Sequence, residues 1–204
     1  MVILETPRVT LRQFEADDLD AIAAIKSDPE VMRYIGTGEP ATREQVKAML
    51  DRWISNATYA WDEKTLQLVP QLYRAVERKA QFSTWAMILK STGELAGRCG
   101  LAAWNLDGAL EVEVGYVLAR QFWGKGLATE AALASRDYGF DRLGFDRLIA
   151  LIQPGNVGSQ NVARKLGMRA ERNFNLRGTD CIIFSMTRAD RDTASAAKNQ
   201  SNSA

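Results

Sequence analysis

The 204-residue chain is expected to fold as α+β, a sheet with helices on both faces, and three features of the sequence lead there. Apolar periodicity gives the order strand, two helices, three strands, helix, strand, helix, two strands, which is not a strict alternation of strand and helix. Turn-forming residues at Lys90-Ser91-Thr92-Gly93 and at Arg177-Gly178 stand between pairs of strand-like runs, as hairpins require. Capping-box spacing at Thr42-Arg43-Glu44-Gln45 opens a segment with Val46, Met49, Leu50, Trp53 and Ile54 on one helical face.

In chain order, Val9, Leu11 and Gln13 read as the first strand. Asp17-Asp18 then stands where a helix is capped, and Leu19, Ile22, Ile25 and Lys26 share one face of that helix. The pattern blurs over 56–81, where Trp61, Leu66, Leu68, Pro70, Leu72 and Val76 fit a loop with a short helix after the proline, so this stretch reads as an insertion. Strands follow at Phe82 to Leu89, Glu94 to Leu101 and Glu111 to Leu118. From Lys125 to Phe140, Leu127, Ala131, Ala134 and Tyr138 keep helical spacing, and the alanines let that helix lie close to a sheet. Leu148 to Ile152 has strand length and is broken by Pro154-Gly155. A short helix from Asn156 ends at Gly167, and strands at Arg169 to Phe174 and Cys181 to Thr187 complete the order. After Arg188 large apolar residues almost vanish, so 1–188 is expected to be one domain and 189–204 an unfolded tail.

Composition bounds the function. With 26 basic and 25 acidic residues the net charge is +1, which gives no reason to expect a nucleic-acid partner. No run approaches the ~18 apolar residues of a membrane span, and the start lacks the layout of a signal peptide, so a cytoplasmic protein without a membrane partner is expected. Cys99 and Cys181 lie far apart and read as small core residues, and no metal site is expected. There is no histidine, which excludes Ser-His, Cys-His and His-metal units and leaves proton transfer to a carboxylate, tyrosine, lysine, hydroxyl or water.

The chemistry concentrates after the strand ending at Leu118. The loop Gln121-Phe122-Trp123-Gly124-Lys125-Gly126 opens a helix, and such a loop can aim backbone N–H groups at a phosphate where the helix dipole adds roughly half a positive charge. Gly-x-Gly alone fits a plain strand-to-helix turn better than a phosphate site. A P-loop is excluded because Lys125 is followed by Gly126 rather than Ser or Thr, and a dinucleotide fingerprint because the next strand ends at Gln153 rather than an acid.

Gln121-x-x-Gly124-x-Gly126 resembles the signature of the GCN5-related N-acetyltransferases. Val114-Gly115-Tyr116, the run Trp123 to Ala131, Asn156-x-x-Ser159 and Lys165-Leu166-Gly167 are similar to the RimJ/RimL-like branch that acetylates ribosomal-protein N-termini, and the likeness spans about Leu4 to Arg188. It implies a mixed, mostly antiparallel sheet with one splayed strand pair, and acetyl-CoA as co-substrate. The diphosphate is expected on the N–H groups of Gln121 through Gly126 and the helix start at Ala128 and Thr129. The pantetheine arm is expected along Val114, Tyr116, Val117 and Leu118, with Asn156 bonding to it; a helix N-cap is the other reading of Asn156.

Direct attack by an amine on the thioester is the implied reaction, with N–H groups near Val114 facing the oxyanion. An α-amine, with pKa about 7.7 to 8.0, asks less of the protein than a lysine near 10.4. Glu113 is the candidate base and Glu111 the fallback; a solvated or acceptor-binding glutamate is the alternative. The family's usual tyrosine acid falls at Ala163, so Ser159 is assigned thiol contact or acid work, with first-turn capping as its structural alternative. The acceptor is a protein N-terminus or a small-molecule amine, and a homodimer is compatible. A CoA-binding sensor or regulator without turnover is the alternative function.

Overall fold

The computed structural model describes residues 1–55, 60–62 and 83–193. Nine strands form one sheet among them: β1 (Val2–Glu5), β2 (Val9–Arg12), β3 (Ala60–Asp62), β4 (Thr84–Leu89), β5 (Leu95–Leu106), β6 (Ala109–Leu118), β7 (Arg147–Ile152), β8 (Arg169–Leu176) and β9 (Thr179–Thr187). The helices are α1 (Leu19–Ser27), α2 (Pro29–Met32), α3 (Arg43–Ile54), α4 (Leu127–Asp141) and α5 (Val157–Lys165). Strand order is β1-β2-β4-β5-β6-β7-β9-β8; β6 and β7 run parallel, β3 runs parallel to the far half of β5, and the other pairs are antiparallel.

Two turns set the long hairpins. Asp107 and Gly108 both have positive φ, 51° and 81°, as do Arg177 and Gly178, 51° and 89°; this backbone twist matches that of the strands it joins. The aspartate-glycine pair lets β5 and β6 run further toward their shared turn than their apolar runs alone indicate.

The helices cover both faces. On one, α4 buries Leu127, Ala131, Ala132, Ser135, Gly139 and Phe140 against Leu101, Leu148 and Phe184, and α5 adds Ala163. On the other, Ile22 and Ile25 of α1 and Val46 and Leu50 of α3 pack on Phe14, Ala86 and Val117. A separate apolar cluster on that second face joins Leu106, Ile149, Phe174 and Ile183 at the far end of the sheet.

The capping box at Thr42 is present, with the Thr42 N–H donating to Gln45 Oε1 (2.8 Å) and the Gln45 N–H to Thr42 Oγ1 (3.3 Å). Elsewhere the structure corrects the reading. The edge strand β1 and the single turn α2 go beyond the expected elements, because four residues carry too little periodicity. Asp18 does not cap α1 with its side chain: its carboxylate clamps the Arg12 guanidinium (Nη1–Oδ2 and Nη2–Oδ1, both 2.7 Å) and accepts the Glu15 N–H. Inside the expected insertion, Ala60–Asp62 joins the sheet, while the short helix expected after Pro70 lies outside the described residues. The chain past Arg188 begins as a helical turn over 188–193, held where Arg188 donates to the Phe140 and Phe145 carbonyls and Arg191 pairs with Asp141; 194–204 lie outside the described residues.

Both cysteines are free and buried, as read from the sequence. Burial pushes the Cys99 thiol up to about 11, partly offset by its contact with Ser135, so it stays an unreactive thiol at neutral pH. Removing the Asp18 clamp leaves a half-buried guanidinium short of its bidentate partner. Asp18→Ala is expected to lower the unfolding free energy by about 2 kcal/mol in urea titration, and a change within a few tenths of a kcal/mol would show the pair to be neutral.

Candidate active site

The loop after β6 is built for an anion. A 3-10 turn over Arg120–Phe122 uses the Phe122 and Trp123 N–H groups internally, on the Ala119 and Arg120 carbonyls. That narrows the expected cradle by two groups: among the described residues the N–H groups of Gln121, Gly124, Lys125 and Gly126 have no such partner, and neither do the first N–H groups of α4 at Leu127, Ala128 and Thr129. Gly124 and Gly126 turn these groups outward with φ of 73° and 78°, values that disfavour any residue with a Cβ. Phe122 is buried in the core, Trp123 is held to the end of β6 by its Nε1–H donating to the Leu118 carbonyl (2.9 Å), and Lys125 lies over the Phe122 ring.

The loop is braced from the start of the chain. Glu130, in the first turn of α4, accepts from the Arg8 Nε–H (2.6 Å), the Arg8 N–H (2.8 Å) and the Thr6 hydroxyl (2.6 Å), and Arg8 Nη1 donates to the Lys125 carbonyl (2.8 Å). Burial works against the Glu130 carboxylate, but these bonds outweigh it and hold its pKa below the ordinary value.

Beside the loop the sheet opens. β6 and β7 share one aligned pair, Glu113 with Ile149; beyond it Val114 to Leu118 have no partner in β7. The edge of β6 is therefore free to pair with an extended ligand arm, directly below the loop. On the α4–α5 side of this opening stand Tyr116 and Ser159, and burial pushes the Tyr116 phenol up to about 12, partly offset by the nearby Ser159 side chain. Asn156 caps α5, its Oδ1 accepting the Ser159 N–H (3.0 Å), which leaves its NH2 group available. Ala163, where the usual acid is missing, is buried in the core.

Glu113 lies on the opposite side of the opening. Its Oε2 accepts the Trp104 indole N–H (2.7 Å) and its Oε1 the Leu151 N–H (3.3 Å), so the side chain bridges the splayed strands. Burial raises its pKa, only partly offset by these bonds and by the charge of Arg98. Glu111 is tied to Arg147 (3.1 Å), which also holds Glu171 (2.8 Å); the fallback base is thus a structural ion pair.

The sequence points to Val114, Tyr116, Val117, Leu118, the loop, Asn156, Ser159 and Glu113, and the fold gathers their strand, loop and helix start around one opening. Val117 is an exception in direction, its side chain packing under α1. Sequence reasoning misses Arg98, whose signal is a cation inside an apolar strand, and the Arg8–Glu130 brace, which has no local signal.

The family model of the acetyltransferase (GNAT) domain matches residues 8–169. The Bacillus subtilis protein YkkB is 34% identical over 168 residues, which cover 81% of this chain and 84% of that one. A solved acetyltransferase (GNAT family) from Bacillus anthracis is 27% identical with a TM-score of 0.67, covering 92% of this chain and 98% of its own. RimL, a ribosomal alpha-N-protein acetyltransferase solved in complex with coenzyme A, superposes with a TM-score of 0.66 over 92% of this chain and 98% of its own; at 15% identity it shares the fold.

Proposed function

This chain belongs to the GNAT family of acetyltransferases, and on that premise we propose that it moves an acetyl group from acetyl-CoA to a primary amine by direct attack. The observation that carries the reading is the juxtaposition of two unpaired backbone edges. The free N–H groups of Gly124 to Thr129 suit a diphosphate, and the free edge of β6 below them suits the amide-bearing arm of the same ligand. Acetyl-CoA supplies the thioester.

The residues divide the work by face. Glu113, with its pKa raised toward the working range, takes the proton of the incoming amine from the α1–α3 side. A backbone N–H at Val114, the first residue of the free edge, faces the developing oxyanion. On the other side the hydroxyls of Ser159 and Tyr116 are the groups nearest to hand to give the departing sulfur a proton, in place of a tyrosine at position 163. An α-amine needs the least deprotonation, which favours a protein N-terminus, as in the RimJ/RimL-like branch, or a small α-amine. We further propose a single domain that runs through the helical turn at 188–193, and a cytoplasmic setting; no described helix is long and apolar enough to cross a membrane.

The test is thiol release from acetyl-CoA with peptides, amino acids, polyamines and aminoglycosides in parallel. At least one class is expected to give free CoA and N-acetyl product in equal amounts. Tight acetyl-CoA binding with no turnover across the panel would replace the enzyme with a sensor.

A further inference from the structure

On the face under α1 and α3, the two apolar clusters leave between them a stretch of sheet that carries charge instead of hydrocarbon. Arg98 of β5 and Gly115 and Glu113 of β6 share that face by strand alternation and register. A Cβ built on Gly115 would meet Glu113 Cδ and Oε2 at 3.9 Å and Arg98 Nη1 at 4.0 Å, with nothing nearer, so the glycine leaves open, between a carboxylate and a guanidinium, the room a side chain would take. The two charges do not pair across it, since Glu113 is engaged by Trp104 and Leu151. Arg98 is seated on the ring of Trp53 (5.7 Å), itself stacked on Phe14, and its buried Nε–H has no acceptor among the described residues. A second basic side chain lies near enough to feel its charge: Lys26 of α1 is 4% exposed and pairs with no carboxylate among the described residues.

A buried lysine beside an arginine without an anion is unfavourable, and its ammonium pKa falls to about 7 through burial and the Arg98 charge. An oxyanion in that room would pair with Arg98 and offset the charge felt by Lys26. Its natural neighbour is an amine lying against Glu113, at the far side of the same few-ångström space.

We propose that Arg98, backed by Lys26, binds the anionic group of the acceptor, so that the amine acetylated here carries a carboxylate or phosphate a few bonds from its nitrogen. This rests on the N-acetyltransferase reading and adds to it the acceptor's chemical class. The Arg98 charge disfavours a polyamine, whose second ammonium would lie against it.

Calorimetric titration of the CoA-loaded protein with α-amino acids, their amides, phosphoethanolamine and 1,4-diaminobutane tests it. The acids or phosphoethanolamine are expected to bind at least about thirtyfold tighter than the amides, whichever is tighter identifying the oxyanion, and Arg98→Met is expected to abolish that preference while leaving amide and acetyl-CoA affinity within about twofold. Lys26→Met, which replaces the buried ammonium by a side chain of similar shape, should reduce the same preference and covers the case in which Arg98→Met does not fold. Equal affinity for acids and amides, tighter binding of the diamine, or no binding of any anionic amine overturns the proposal. Binding of acids without thiol release would leave the subsite standing and sink the transferase reading instead.

Discussion

Gly126→Glu is expected to weaken acetyl-CoA binding at least about hundredfold in calorimetry, while circular dichroism shows the fold retained. The residue has φ of 78°, where a side chain costs about 1–2 kcal/mol, and this strain alone is measured by Gly126→Ala. The larger part is electrostatic. The introduced side chain would set a carboxylate at the positive end of α4, where the free N–H groups await a diphosphate, and would compete with Glu130 for Arg8, whose Nη2 lies 3.4 Å from the added Cβ. The nearest atom is the end of a flexible side chain, so the fold has room. Equal loss in the alanine and glutamate variants would reduce the effect to backbone strain, and unchanged affinity in both would remove the diphosphate from this loop.

For Glu113→Gln a fall in kcat of about a hundredfold or more is expected, with acetyl-CoA affinity little changed. The pH profile separates its two roles. Burial raises the Glu113 pKa, so the wild-type acid limb should lie above the ordinary carboxylate range, the base being active only once its proton is lost. In the variant that limb should vanish, leaving ionisation of the amine itself. The deficit should be widest between the Glu113 and amine pKa values, and narrow as rising pH supplies neutral amine without help. A deficit constant across pH would make Glu113 an acceptor-binding charge.

The sequence makes visible whatever local chemistry decides. The capping box at Thr42, the helix after Gly126 and the hairpin at Arg177-Gly178 follow from side chains a few residues apart. The turn at Asp107-Gly108, which sets the full length of β5 and β6, goes beyond the hairpins expected from the sequence. Register is harder: that Glu113 spans the splay to Leu151, while Glu111 is bound to Arg147, depends on how far β7 slides along β6. Lys26 reads as part of the buried face of its helix, and only the packing of α1 over β5 gives that placement meaning by bringing it within reach of the Arg98 charge. Phe122 and Trp123 read as donors because their sequence fits a loop, but a 3-10 turn consumes their N–H groups.

The brace between Arg8 and Glu130 joins residues 122 apart in the chain. Closing so long a loop is entropically slow and comes late in folding, after local hairpins and helices have formed. The anion cradle is therefore a property of the finished domain rather than of its glycine-rich segment. A nascent chain that has made β6 and α4 but not docked its first strands holds the sequence of the site without its rigidity, so competence to bind the acyl donor reports completed folding.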